Sequence, residues 1–297
     1  MSDLSYALVT PARNEAANLW RLAGCLAAQT VAPAAWVIVD DGSTDGTLAL
    51  AEELACAHDW ARVISSPAGR QLDELERGRE IGRDVVAFTA GLAVLDPPPD
   101  VAVKLDADVS IEPDYFERLL AAFAEDPSLG IAGGTCYELE DGAWRPDHVT
   151  GSHVRGATRA YRRACLLDVL PLDTCIGWDG IDEVRANLRG WRTASLADLP
   201  FYHHRRRGER DGARRRGWAV QGRAAHYMGY RSSYVMLRAL FQARREPAAL
   251  AMMPAYVGAA LARAPRCPDP AVRAHLRRQQ RARELPLRLR EALGHRG

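Results

Sequence analysis

The sequence VAVKLDADV, residues 101–109, decides the fold, because it joins an apolar segment to two aspartates one residue apart. Residues 101–105 are apolar apart from Lys104 and predict a buried strand. Asp106 and Asp108 then place two carboxylates at the carboxyl end of that strand, where open α/β sheets bind ligands. Carboxylates this close repel each other unless a cation joins them. Mg²⁺ or Mn²⁺ holding a phosphate is one such cation, whereas a polar turn is the alternative that an isolated D-x-D motif favours.

The composition is typical of a globular protein. Of the 297 residues, 47% are hydrophobic and 26% are charged, which allows one large domain or one domain with extensions. A net charge of +1 gives no argument for nucleic-acid binding, and no nucleic-acid partner is expected. Lys104 is the only lysine among 39 basic residues, a bias that we attribute to codon usage in a GC-rich genome.

The cysteines and the hydropathy bear on location. No two of the six cysteines have the close spacing of a zinc knuckle or a C-x-x-C motif, so we expect buried, reduced thiols. Neither a signal-peptide pattern nor an apolar run of membrane-spanning length is found. These features predict a cytoplasmic protein. A C-terminal apolar set with flanking arginines could rest on the cytoplasmic face of a membrane, while packing on the rest of the chain or in a homodimer is the alternative: Leu250, Met252, Met253, Tyr256, Val257 and Leu261.

Strands and helices alternate in the first half, which predicts a parallel sheet with right-handed crossovers. Asn14 is the expected N-cap of the first helix, and Pro113 is expected at the first position of a later one. The segment 66–83 is polar and arginine-rich. The apolar patterns predict strands at 6–10, 36–39, 62–65, 101–105 and 129–134, helices at about 16–28, 47–57 and 84–95, and a hairpin at 135–144.

The second half is more helical. Its patterns predict helices at 159–169, 218–228, 234–244 and 247–262, with a strand at 193–196. A further helix is expected to begin within residues 177–183 and to end at Gly190. We expect a catalytic domain over residues 1–215, with a nucleotide-binding half to about 134 and an acceptor half from 135, followed by a helical extension over 216–297.

Polar side chains follow the first two strands as well. Asp40 and Asp41 end the second strand, and their carboxylates could accept from a nucleobase or from ribose. Arg13 and Glu15 follow the first strand and could contact a base, although an ordinary helix N-terminus explains them equally well.

A second acidic group lies some seventy residues after Asp108 and consists of Asp179, Asp182 and Glu183. A carboxylate that removes a proton from a hydroxyl must not be held by a metal, so this group could supply a base. Stabilisation of a helix N-terminus is the alternative. His203 or His204 could be a further ligand for the ion at Asp108. The arginines of residues 205–216 could neutralise a diphosphate, or could be solvated.

Four segments in this order resemble family 2 glycosyltransferases of the GT-A fold: residues 10–15, 39–45, 106–108 and 177–183. The resemblance extends from residue 4 to about residue 204. It implies an α/β fold with a mostly parallel, Rossmann-like sheet flanked by helices, here with a helical C-terminal extension. It also implies inverting transfer from a nucleotide-diphosphate sugar to a carbohydrate or lipid-linked acceptor, in cell-surface polysaccharide or glycolipid assembly.

The same resemblance implies roles for individual residues. Asp106 would contact ribose or metal, Asp108 would bind Mn²⁺ or Mg²⁺, and Asp182 would be the base, with Glu183 and Asp179 as rivals. His203 completes the predicted metal ligands. The residues expected to hold the nucleoside are Pro11, Arg13, Glu15, Asp40 and Asp41.

Two departures from the family pattern matter. The family often has Glu-Asp where this chain has Asp182-Glu183. The Gln-x-x-Arg-Trp motif and the transmembrane helices of processive members are absent from the sequence, which favours the transfer of a single sugar.

Two other functions compete with this one. A sugar-1-phosphate nucleotidyltransferase would need a glycine-rich, basic loop after the first strand, and residues 10–15 do not form one. A catalytically silent nucleotide-sugar-binding module would not need Asp106, Asp108 and Asp182, which are all present.

Overall fold

The computed structural model describes residues 3–67, 82–140, 142–147, 153–204, 214–244, 246–281 and 284. These residues form two compact units. The first unit lies within the ranges 1–75, 83–172 and 186–206, and the second within 76–82, 173–185 and 207–297. The predicted domain boundaries at about residues 134 and 215 stay a prediction.

A single mixed sheet forms the framework of the first unit. Its strand order is β3-β2-β1-β4-β8-β6-β9-β5, and β7 pairs with β6. The strands are β1 (Tyr6–Ala12), β2 (Ala35–Asp40), β3 (Ala61–Ser65), β4 (Val101–Leu105), β5 (Val109–Ile111), β6 (Leu129–Glu140), β7 (Ala143–Pro146), β8 (Thr158–Arg162) and β9 (Arg192–His203). The helices that connect them are α1 (Ala16–Ala27), α2 (Thr47–Ala57), α3 (Arg83–Leu92), α4 (Tyr115–Glu125) and α5 (Arg163–Val169).

The first four strands in this order are parallel, as the alternation of strands and helices predicts. In the register of these strands, Ala12 lies opposite Asp40, and Val9 lies opposite Lys104. The carboxyl ends of β1, β2 and β4 therefore meet at one edge, and the segments that follow them start side by side. All six residues of β2 and all five of β4 are buried, because helices cover a parallel sheet on both faces.

The other half of the sheet brings a distant histidine to the same edge. β5 follows the D-x-D motif directly and pairs antiparallel with β9, so that Val109 lies opposite His203. β9 also runs parallel to β6, with Glu138 opposite His203. Sequence spacing alone does not reveal this approach, since 95 residues separate Asp108 from His203.

One face of the sheet is covered by a large apolar core. Helix α1 contributes Leu19, Leu22 and Leu26, which recur at helical spacing and are at most 2% exposed. Burying each such side chain stabilises the fold by about 1.5–3 kcal/mol. Trp36 of β2 is fully buried in the same core, and its indole N–H donates to Thr10 Oγ1 at 2.9 Å.

Three local predictions were wrong. Residues 158–162 form β8 rather than the start of a helix, because they are inserted between β4 and β6 and four of the five are buried; the helix begins only at Arg163. Pro113 lies two residues before α4, whose N-cap is Asp114. Asn14 does not cap α1, because it adopts a left-handed conformation with φ 55° and Glu15 is the N-cap residue. The 135–144 hairpin is confirmed by the pairing of Glu140 with Ala143.

The second unit is built mainly from helices. α6 (Trp178–Leu188) belongs to it up to Arg185, and the remaining elements are α7 (Arg214–Tyr227), α8 (Ser232–Ala243), a 3-10 helix (Pro247–Ala251), α9 (Met252–Leu261) and α10 (Pro270–Gln279). Asp269 caps α10 by accepting from the Ala271 and Val272 amides. One apolar cluster joins α6, α7 and α10 through Ile181, Val184, Ala224, Met228, Cys267, Val272 and Leu276. Within the described residues, no helix is long and apolar enough to cross a membrane.

Candidate active site

The loops after β1 and β2 are tied to each other. The Asn14 amide donates to Ser43 Oγ at 3.1 Å, and the Thr44 amide donates to the Asn14 side-chain oxygen at 2.8 Å. Arg13 Nη1 donates to the Asp41 carbonyl at 3.1 Å. Pro11 is half-buried and lies opposite Val39 in the sheet. Hydrogen bonds thus join the two segments that contain the predicted nucleoside-binding residues.

Glu15 is 5% exposed, and its surroundings hold the start of α1 in place. Its amide donates to Thr47 Oγ1 of α2 at 2.7 Å, and its carboxylate accepts from Asn18 Nδ2 at 2.8 Å. The structure therefore gives Glu15 the local role that the sequence also allowed.

Asp40 shapes the turn after β2. Its carboxylate accepts from the amides of Gly42 and Ser43, each at 3.2 Å. Gly42 has φ 75°, a left-handed conformation that glycine adopts without a steric penalty. Two backbone amides already occupy the Asp40 carboxylate, and Asp40 is only 5% exposed, so its contacts here stabilise the turn.

Asp41 is held by an arginine that the sequence analysis did not identify. Arg83, the first residue of α3, places Nε 2.6 Å from Asp41 Oδ2, and its Nη2 donates to the Asp41 carbonyl at 3.0 Å. Both residues are at most 6% exposed. A buried carboxylate needs such a partner, since an unpaired charge in the interior is strongly unfavourable.

Lys104 neutralises the first aspartate of the D-x-D motif. Its Nζ lies 2.5 Å from Asp106 Oδ1 and 3.5 Å from Asp84 Oδ2, and the lysine is only 2% exposed. Burial lowers the pKa of Lys104, but the charges and hydrogen bonds of Asp106 and Asp84 outweigh burial and raise it above its ordinary value. Asp106 is one-third exposed, so part of its carboxylate remains open to a ligand.

The second aspartate of the motif has a different partner. Asp108 Oδ1 lies 3.3 Å from His203 Nε2, and the side chains are 10% and 19% exposed. The His204 amide donates to the Asp108 carbonyl at 2.9 Å, which fixes β9 beside the motif. Burial lowers the pKa of His203, but the hydrogen bond and charge of Asp108, together with Asp106 and Glu138, raise it overall.

Asp108 and His203 fit a divalent ion of the Mn²⁺ or Mg²⁺ kind by the chemistry of their donor atoms. A carboxylate oxygen suits either ion, and an imidazole nitrogen favours Mn²⁺ over Mg²⁺. His204 does not fit as well, because its Nε2 is 2.8 Å from Ser110 Oγ and its side chain is exposed. Of the two histidines that the sequence offered, the structure brings His203 to the motif.

The second acidic group lies on α6. This helix begins at Trp178, directly after Gly177 with φ 85°. Asp179 therefore occupies the first turn, whereas Asp182 and Glu183 lie in the second. Asp182 is 1% exposed and Glu183 is 8% exposed. These residues belong to the second compact unit, while the carboxylates after β2 and β4 belong to the first.

Known glycosyltransferases resemble this chain in sequence over part of its length and in fold. The model of glycosyl transferase family 2 matches residues 7–73, which cover β1, α1, β2, α2 and β3. The predicted resemblance to that family is thereby confirmed over the segment that contains Arg13, Glu15, Asp40 and Asp41. A mannosyltransferase, PcManGT from Pyrobaculum calidifontis, solved with GDP-Man and Mn²⁺, matches with a TM-score of 0.56 at 16% identity, over 100% of this chain and 91% of its own.

The chain has the GT-A fold.

Other GT-A structures agree with this assignment. S. aureus TarS 1–349 in complex with UDP-GlcNAc matches with a TM-score of 0.55 at 20% identity, covering 75% of this chain. GalNAc-T7 with UDP, GalNAc and Mn²⁺ matches with a TM-score of 0.56 at 14% identity, covering 76% of this chain and 48% of its own. The chain spans 64% and 66% of the length of two TarS 1–349 structures. No curated protein matches the sequence significantly.

Three residues near the GT-A sheet edge were missed as functional candidates. Arg83 carries no local pattern that ties it to Asp41. Glu138 lies in a hairpin strand, and only the pairing of β6 with β9 brings it to His203. Lys104 did carry a signal, because it is the only lysine among 39 basic residues and it lies inside an apolar strand. The arginine run at 205–213 lies outside the described residues.

Proposed function

We propose that this chain is an inverting, metal-dependent glycosyltransferase that moves one sugar from a nucleotide-diphosphate sugar to an acceptor hydroxyl. The observation that carries the proposal is the pair of Asp108 and His203 at the carboxyl edge of a GT-A sheet, 3.3 Å apart. Three further features support it: the family match over residues 7–73, the open part of Asp106, and an acidic group on α6 that has no part in this pair.

The donor nucleoside would lie on the surface formed by the loops after β1 and β2. Pro11 at the end of β1 and Arg13 and Glu15 after it would contribute from the first segment. Asp40 at the end of β2 and Asp41 after it would contribute from the second. Asp40 and the ion pair of Asp41 maintain the shape of this surface, so their contribution to affinity comes largely through preorganisation. Asp106, with its charge balanced by Lys104, suits a hydrogen bond from a ribose hydroxyl better than a second metal contact.

The diphosphate would lie beside Asp108 and His203, which would hold the divalent ion. A bound ion supplies a Lewis acid that stabilises the charge of the departing nucleoside diphosphate, an effect of several kcal/mol. The protein contributes the position of Asp108, which follows β4 directly, and the position of His203, which β9 fixes through its pairing with β5. Leu105, Ala107 and Val109 surround the motif with buried apolar groups.

Asp182 is our candidate for the base that accepts the proton of the acceptor hydroxyl, with Glu183 and Asp179 as rivals. In an inverting transfer the oxygen of the acceptor attacks the anomeric carbon, the bond to the diphosphate breaks, and the proton passes to a carboxylate. A positioned base of this kind contributes on the order of 10²- to 10⁴-fold in rate.

The acceptor is proposed to be a carbohydrate or a lipid-linked sugar of cell-surface polysaccharide or glycolipid assembly. An exposed apolar set on α8 and its neighbours favours the lipid-linked alternative: Met236, Leu237, Leu240, Leu250, Val257 and Leu261 are all at least 40% exposed. Met252 is fully buried, and Met253 and Tyr256 pack on the same helical core, so for these the packing alternative holds. Flotation with liposomes that contain anionic lipid tests this, and an absence of binding would leave a water-soluble acceptor.

A panel of nucleotide sugars, incubated with Mn²⁺ or Mg²⁺, tests the central proposal. We expect slow donor hydrolysis or transfer by the wild type, retained donor binding but loss of turnover by Asp182→Asn, and loss of metal-dependent binding by Asp108→Ala. Asp198→Asn, which changes an exposed carboxylate of β9, is a matched control. Pyrophosphate release from a nucleoside triphosphate would favour the nucleotidyltransferase, and binding without turnover of any donor would favour a silent module.

A further inference from the structure

His203 has a second set of potential ligand partners besides Asp108. Cys136 Sγ, a carboxylate oxygen of Glu138 and a ring nitrogen of His203 all lie within 4.8 Å of one another. Cys136 and Glu138 are two residues apart on β6, so their side chains project from the same face of the strand. The parallel register of β6 and β9 places Glu138 opposite His203.

The chemistry of this set differs from that of the D-x-D motif. Thiolate, imidazole and carboxylate are the three kinds of side-chain ligand that bind Zn²⁺ in proteins, and a site with three protein ligands leaves a fourth position for water. Thiolates select borderline and soft ions, whereas carboxylates, carbonyls and water suit Mg²⁺ and Mn²⁺. The order of affinities for divalent metals also favours Zn²⁺ over Mn²⁺ at any mixed nitrogen and sulfur site.

The three residues of this set differ in exposure. Cys136 is 3% exposed and closes the inner end, whereas Glu138 and His203 are half-buried. The charges of Glu138 and Asp108 both act on His203, so the surroundings are already negative. Two strands of the sheet carry all three ligands, and this gives the set the rigidity that metal sites require.

We propose that Cys136, Glu138 and His203 form a Zn²⁺ site that shares His203 with the ion held by Asp108. Binding converts the Cys136 thiol to a thiolate, whose proton passes to solvent, and forms one bond each to sulfur, nitrogen and oxygen. Because His203 cannot serve both ions fully, Zn²⁺ here weakens the binding of Mn²⁺ or Mg²⁺ at Asp108. This second consequence rests on the proposed function, but the site itself does not.

Cobalt substitution tests the site directly, since Co²⁺ bound to a thiolate gives a charge-transfer absorption band. We expect this band in the wild type, and its loss when Zn²⁺ is added. Cys136→Ser abolishes the band, whereas Cys56→Ser, which removes an exposed thiol of α2, leaves it unchanged. Glu138→Gln weakens Co²⁺ binding by at least about tenfold, because even outer partners of metal ligands contribute 10- to 100-fold.

The proposal is contradicted if the wild type shows no such band. It is also contradicted if Cys136→Ser keeps the band and has near-native circular dichroism. Should Cys136→Ser fail to fold, Glu138→Gln decides, since unchanged Co²⁺ affinity in that variant contradicts the site. Antagonism is measured separately, by Mn²⁺-dependent binding of UDP or GDP in the presence of Zn²⁺. A cobalt band without any nucleotide binding would contradict the proposed function alone, and metal-dependent nucleotide binding without a band would contradict this inference alone.

Discussion

Two pairs of aspartates lie at the carboxyl edge of the same sheet, one after β2 and the other after β4. In the first pair, Asp40 accepts from two backbone amides and Asp41 is held by the buried Arg83. In the second pair, Lys104 balances only Asp106, and Asp108 lies beside a histidine. In the first pair each carboxylate has a partner within the chain, although Asp41 Oδ1 accepts no hydrogen bond among the described residues. The second pair retains capacity for a cation at Asp108. Similar sequence motifs thus serve different purposes, according to the cations that the fold brings to them.

The largest effect should come from the pair after β4, Asp106 and Asp108. Asp108→Ala removes the carboxylate proposed to hold the ion, so turnover should fall by about 10²- to 10³-fold, given a metal contribution of several kcal/mol. Because Asp108 is only 7% exposed and pairs with His203, urea unfolding of the variant is measured as well, so that a loss of the ion is distinguished from a loss of the fold. Isothermal titration with Mn²⁺ and a nucleoside diphosphate measures the loss. Metal-dependent binding equal to that of the wild type would contradict the distinction between the two pairs.

For the pair after β2, Asp40 and Asp41, we expect substitutions to lower the stability of the fold rather than metal binding. Arg83→Met leaves Asp41 buried without its cation and should lower the free energy of unfolding by about 3–5 kcal/mol. Arg62→Met is a matched control, because Arg62 only donates to the Val94 carbonyl at an exposed position. The double variant Arg83→Met with Asp41→Leu should recover part of the loss. Urea unfolding measures all three, and equal effects of Arg83 and Arg62 would be inconsistent with a buried ion pair.

Lys104 belongs to both descriptions, since it is buried but its partners are about one-third exposed. Lys104→Met should therefore cost less than Arg83→Met, about 1–3 kcal/mol, because Asp84 and Asp106 can be solvated. As the only lysine, Lys104 also reports on its own burial. An amine-acylating reagent should leave the peptide that contains it unmodified in the native protein and label it after unfolding, as mass spectrometry would show. Labelling at equal rates in both states would place Lys104 at the surface.

A smaller effect is expected for the turn after β2. Asp40→Asn keeps one side-chain oxygen but loses the charge that the Gly42 and Ser43 amides face, which should cost about 1 kcal/mol. Donor affinity should fall together with stability, because the turn shapes the proposed nucleoside surface. Thermal denaturation with and without UDP or GDP measures both. A fall in affinity with no loss of stability would instead indicate direct contact between Asp40 and the nucleoside.

The partly exposed carboxylate of Asp126 serves as a comparison for the two aspartate pairs. Hydrogen bonds from Ser128 and Arg192 hold the pKa of Asp126 at about 2, below its ordinary value of 3.8. The stabilisation is therefore complete above about pH 4 and is lost as the pH falls through about 2. Comparing the acid unfolding curves of the wild type and Asp126→Asn should show a difference above this window that disappears below it. A difference that grew as the pH fell would contradict the direction of the shift.

Much of the first unit could be predicted from local pattern. β4 and α2 begin and end where the apolar spacing places them, because burial on both sheet faces and on one helix face leaves a clear period in the sequence. The second half was harder. Residues 158–162 are strand only because β4 and β6 lie on either side of them, and this pairing depends on residues far away in the chain.

The sequence by itself determined the alternation of strands and helices, the aspartates that follow β2 and β4, and the resemblance to family 2 glycosyltransferases. These follow from periodicity and from short motifs, which are local properties of the chain. Only the tertiary structure decided that Arg83 forms an ion pair with Asp41 and that Lys104 forms one with Asp106. It also decided that the side chain of His203, rather than that of His204, lies beside Asp108. Partners of this kind depend on strand register and burial, because the free energy of a charge is set by the groups that surround it in space.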